Sequence, residues 1–208
     1  MGIINITSFV ITSFLFIISP GIDTIFILNK SLTHGQKTGL YATLGKVTGV
    51  MVHTSFAAFG LSLILAQSAT AFTIVKYSGA IYLVYIGITK LFSKQHIINK
   101  ENQVKFISNK KAYWTALMTN ALNPKVAIFF LAFIPQFIKY EYIHDKIPFF
   151  LLGAIYAMLS MIWFTGLTFF AATFSAKLKS NPGVGILVNK ISGVAIIFMG
   201  IKVALTKK

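Results

Sequence analysis

The sequence predicts an all-α integral membrane protein with about six transmembrane helices arranged as a 3+3 inverted repeat. Three observations carry that reading. Hydrophobic residues make up 56% of the chain and charged residues 11%, a balance no water-soluble globule could cover with polar surface. Six apolar runs each approach or exceed the roughly 20 helical residues that cross a hydrocarbon core about 30 Å thick. Short polar motifs of the first three runs also recur, in order, in the last three.

The runs are residues 5–28, 38–66, 70–92, 112–133, 147–174 and 184–205. The first lacks a basic leading segment, is too long for a secretory signal and offers no small-residue cleavage site, so it reads as a retained helix. Residues 93–111 are the one long connection, polar and rich in lysine. They separate a first three-helix repeat, 1–92, from a second, 112–208. Lys76-Tyr77-Ser78-Gly79 returns as Lys190-Ile191-Ser192-Gly193, Ser19-Pro20 as Asn123-Pro124, and Gly60-Leu61-Ser62 as Gly166-Leu167-Thr168. Because each half holds an odd number of spans, tandem duplication inserts the two copies in opposite orientations.

The net charge of +15 comes wholly from lysine, so the bidentate guanidinium fork suited to phosphate is lacking and a nucleic-acid partner is excluded. The lysines instead report topology. They concentrate in the connections after spans one, three and five, at Lys30, Lys37, Lys90, Lys110 and Lys111 among others. The positive-inside rule therefore places the 93–111 loop in the cytoplasm and both termini outside, in a bacterial inner (plasma) membrane. Cysteine is absent, which removes disulfides and thiolate metal sites.

Chemistry is concentrated at two helix breaks. In Ser19-Pro20-Gly21-Ile22-Asp23 a proline deletes a backbone donor, a glycine loosens the helix, and an acid follows at membrane depth. Asp23 is the only acidic residue in any of the six runs. An intramembrane carboxylate costs several kcal/mol unless paired or hydrated, so it marks a functional site by default; the alternative is a structural ion pair. Asn123-Pro124-Lys125 repeats the break in span four, where an amide and an ammonium are placed to meet a carboxylate, unless Pro124 is a first-turn proline and Lys125 snorkels.

Span two carries Gly45, Gly49 and His53 at four-residue spacing, one face that admits a close neighbour. His53 reads as a hydrogen-bonded structural residue before a proton shuttle. Lys46 lies on roughly the same face and either meets Asp23 or snorkels toward the cytoplasmic end.

In the order and spacing of these motifs, with Gly39 through Gly45, Ala80-Ile81-Tyr82-Leu83 and Pro135-Gln136-Phe137, the chain resembles the homoserine/threonine exporter-like (RhtB) branch of the LysE family of amino-acid exporters. The resemblance covers nearly the whole chain. It implies a six-helix plasma-membrane efflux protein that moves amino acids or their derivatives outward against proton entry as an antiporter, and it is compatible with a homodimer. Two positions depart from the family pattern: Ile22 replaces the second proline of Ser-Pro-Gly-Pro-Asp, and Lys46 replaces an apolar residue.

The mechanism expected on this basis has Asp23 alternate between protonated and ionised forms. Asn123 and Lys125 would hold the substrate carboxylate or Asp23 itself. Half-helix dipoles at Pro20 and Pro124 would face a central site, and one three-helix half would rock against the other. No cofactor or metal is called for. Three rival classes are an intramembrane enzyme, a metal-ion exporter and a passive channel. The first would need a hydrolase or metalloprotease motif or a second carboxylate, and the second a cluster of acids or histidines. A polar break alone suffices for the third.

Overall fold

The computed structural model describes residues 2–61, 69–92, 107–180 and 182–205. Residues 93–106 of the expected cytoplasmic loop lie outside them. The described chain is helical throughout, its one extended pairing being an antiparallel bridge between Ile3 and Ile138. Helix α1 is Ile6–Ile18 and α2 is Ile22–Phe56, continued by a π-helical turn at Ala57–Leu61. Helix α3 is Ala69–Leu91 and α4 is Asn109–Ala121. Helix α5, Pro124–Ile128, runs into a π turn at Phe129–Phe133 and a 3-10 turn at Ile134–Phe137. Helices α6, Lys146–Phe169, α7, Ala171–Ser180, and α8, Pro182–Leu205, complete the chain.

The sequence places a non-helical connection between spans one and two, whereas the structure winds helix through it and reverses the chain at a single residue. Gly35 has φ 84° and ψ 168°, a conformation L side chains rarely adopt. The chain then doubles back. Gly39 lies directly against the Ser31 side chain, a contact that no straight helix permits between residues eight apart. Span one is thus α1 plus residues 22–34, broken at residues 19–21, and span two is residues 36–61. Span four is broken in the same manner, α4 meeting α5 through Leu122 and Asn123 at a bend of 50°.

Small residues set how the spans pack, because helices in lipid gain little from hiding apolar surface and hold together by close contact. Gly45 lies against the Tyr113 backbone and Gly49 against Asn120, so the second half of α2 runs parallel to α4. A Cβ on Gly87 would fall 2.7 Å from the Gly193 carbonyl oxygen, and one on Gly200 2.8 Å from that of Ala80. Helices α3 and α8 are therefore antiparallel with touching backbones. Their outward faces present Ile74, Ile81, Tyr85, Val194 and Phe198. Such apolar stripes suit lipid.

The centre is aromatic. Phe129 packs on Phe16 at 4.5 Å and on Tyr156 and Phe133 at 5.0 Å between ring centroids. The two ends of the bundle are distinct. At one, Thr38 donates to Asn109 at 2.8 Å near the Gly35 reversal, and Lys30, Lys37, Lys110 and Lys111 gather close by in the chain. At the other, the Lys139 N–H donates to Gly2 at 2.7 Å and the Lys146 ammonium sits 4.6 Å from the Phe59 ring centre.

Candidate functional site

Each proline break frees one carbonyl, and the structure fills both from another span. A proline at position i removes the hydrogen bond to the carbonyl of residue i−4. For Pro20 that carbonyl belongs to Phe16, and it accepts instead from the Lys125 ammonium at 3.4 Å. Lys125 also reaches the Ser19 carbonyl at 3.3 Å and lies 4.3 Å from the Phe16 ring centre. The Pro20 carbonyl accepts from the Lys90 ammonium. Two cations thus cap the carbonyl end of α1, where the helix dipole is negative.

For Pro124 the freed carbonyl is that of Asn120. It accepts from His53 Nε2 at 2.8 Å and from the Asn123 N–H at 2.9 Å. The His53 proton therefore resides on Nε2, and the ring stacks on Phe130 at 5.9 Å. Pro124 itself occupies the first turn of α5, and the Asn123 side-chain oxygen accepts from the Lys125 N–H at 3.0 Å as its N-cap. Asn123 and Lys125 are thus engaged at the two breaks: one caps α5, the other closes α1.

Between the breaks lies a cavity of about 20 Å³, lined by residues including Ser19, Gly21, Asp23, Lys46, Asn123, Lys125, Tyr156 and Phe164. Of the residues singled out from sequence, Gly21, Asp23, Lys46, Asn123 and Lys125 line it. Pro20, Pro124 and His53 act one step back, through the backbone groups just described. Gly21 is the extended residue ahead of α2, at φ −154° and ψ −167°. Asp23 follows in the first turn of that helix, where a carboxylate is favoured by the dipole.

The partner of Asp23 is one that sequence reasoning missed. Asn120 donates from Nδ2 to Asp23 Oδ2 at 2.8 Å. No ion pair joins Asp23 to Lys46 or Lys125 among the described residues. Asn120 is fully buried, and its Oδ1 has no hydrogen-bond partner among them. The available signal was spacing, since Asn120 sits one helical turn before Asn123 on an otherwise apolar run.

Two lysines differ from the sequence reading. Lys46 does not reach toward the membrane surface: it is 3% exposed, with its ammonium 3.4 Å from Ser160 Oγ and 4.6 Å from the Phe164 ring centre. Lys90, counted with the cytoplasmic lysines, turns inward to Pro20 because the broken helix offers an unpaired carbonyl there.

Paired broken helices, with one carboxylate and two ammonium groups around a small cavity between them, define a polytopic membrane transporter rather than an enzyme. The chain matches the family model described as LysE type translocator over residues 14–207, and it belongs to that family. It is 32% identical to the uncharacterized membrane protein YrhP of Bacillus subtilis (strain 168), the match covering 91% of this chain and 93% of that one. It is 27% identical to a leucine efflux protein of Enterobacter sp. (strain 638), over 96% of this chain and 93% of the relative. A homoserine/homoserine lactone efflux protein of Salmonella typhimurium is 28% identical over 93% and 92%. No solved structure matches.

Proposed function

We propose that this protein exports amino acids or their derivatives across the bacterial plasma membrane, in exchange for protons that enter by way of Asp23. The observation that carries this reading is Asp23 itself. A single carboxylate lines a cavity between two proline breaks, held by a neutral amide and, among the described residues, not paired with a lysine. In this reading Asp23 carries the proton, and an amino-acid ammonium would complete its charge when it is ionised. The family membership and the leucine and homoserine efflux relatives support the same direction and substrate class.

The cavity of about 20 Å³ holds about one water and no amino acid, so substrate enters only after the halves move. That favours gated transport over a standing pore. Residues 1–92 and 112–208 would be the moving repeats, in support of which each has a proline break. By the positive-inside rule the Gly35 end, with its lysines, faces the cytoplasm and both termini face outward. Counterflow of labelled amino acids in proteoliposomes, with and without an imposed pH gradient, tests the proposal. An exporter exchanges label without a gradient and accumulates it against one. Equilibration with no trans-stimulation and no response to pH would identify a channel instead.

A further inference from the structure

The ammonium groups at the breaks are not equivalent. Lys125 is satisfied by the Phe16 and Ser19 carbonyls, and Lys90 by that of Pro20, so both complete the broken helix. Lys46 has no such carbonyl among the described residues. Its hydrogen-bond partner is one neutral hydroxyl, Ser160 Oγ at 3.4 Å, and otherwise it faces the rings of Phe164 at 4.6 Å and Tyr156 at 5.9 Å. It is nonetheless buried and lines the cavity with Asp23 and Lys125. With Asp23 ionised and both lysines protonated, one carboxylate and two ammonium groups give that cavity one positive charge in excess.

A buried charge without a counter-ion is costly, and a ligand that supplies the missing charge recovers the cost on binding. A neutral amino acid is a zwitterion and leaves the excess where it was. An amino acid with a second carboxylate brings one negative charge and cancels it. We infer that Lys46 makes this cavity select dicarboxylic amino acids of net negative charge. Asp23 receives the α-ammonium group and Lys46 one carboxylate. Ser19 Oγ, buried on the same cavity wall and without a partner among the described residues, is placed to donate to the other. The inference rests on the amino-acid-exporter reading and narrows its substrate class.

The test uses the full chain in proteoliposomes, with counterflow of labelled glutamate, aspartate, leucine and homoserine measured for wild type, Lys46→Met and Lys46→Arg. Wild type is expected to exchange an acidic amino acid over leucine by about thirtyfold or more, the scale of removing one partner from a buried charge pair. Lys46→Met should collapse that ratio, and Lys46→Arg should keep it. Preference of the wild type for leucine or homoserine overturns the inference, as does a Lys46→Arg ratio that collapses like that of Lys46→Met. Should Lys46→Met fail to insert, the wild-type and Lys46→Arg ratios decide the matter. Failure of every labelled amino acid to exchange, with folded wild type in the membrane, would overturn the exporter reading instead.

Discussion

Asp23→Asn separates a proton carrier from a structural acid, because the geometry limits what the change does to folding. The carboxylate accepts one charge-assisted bond, from Asn120 Nδ2 at 2.8 Å, and no ion pair is lost among the described residues. Bonds to charged groups contribute about 1.5–3 kcal/mol and neutral ones about 0.5–1.5, so the substitution costs about 1 kcal/mol. That corresponds to a fall in Tm of about 2–4 °C, readable on detergent-solubilised protein. Transport should change far more: export driven by a pH gradient is abolished, because an amide does not titrate. Both readouts are taken on the same preparation. Retention of pH-driven export by Asp23→Asn would refute the reasoning. So would its restoration when Asp23→Asn is combined with Lys125→Met or Lys46→Met, since rescue by deleting a lysine reveals an ion pair.

His53→Leu removes the side-chain donor to the Asn120 carbonyl but leaves the Asn123 N–H in place. It should lower stability by about 1–2 kcal/mol, seen as a reduced Tm, and leave the pH dependence of export unaltered; loss of that pH dependence in a stably folded variant would make His53 a proton carrier. Topology is tested in the cysteine-free chain by Asn102→Cys, which an impermeant thiol reagent should fail to label in intact cells and should label in inverted vesicles. Labelling of intact cells reverses the orientation.

How much of the site was legible before folding is best judged at the two prolines. The rule that a proline frees the carbonyl four residues back is local, so the breaks at Pro20 and Pro124 could be read directly from the chain. Which group would fill each freed carbonyl could not. His53 and Lys125 come from other spans, across separations of 67 and 109 residues, and nothing in the spacing selects them over Lys46 or Lys90. The span-two glycine face was legible for the same local reason, since residues four apart share a side. Its partner, the Tyr113 to Asn120 face of α4, was not.

By itself the sequence determined the membrane class, the helical spans, their broken positions and the presence of one intramembrane acid among lysines. Those properties follow from hydropathy, from the missing proline N–H and from the cost of charge in hydrocarbon, all of which act within one helix. Only the tertiary structure decided that the chain reverses at Gly35 alone, that Asp23 is held by Asn120, and that Lys125 and Lys90 close a helix end while Lys46 faces the cavity. A lysine on an apolar helix can extend to the membrane surface or turn inward with little difference in local energy. What tips the balance is whether a neighbouring span presents an unpaired carbonyl, and that is set by how the helices pack.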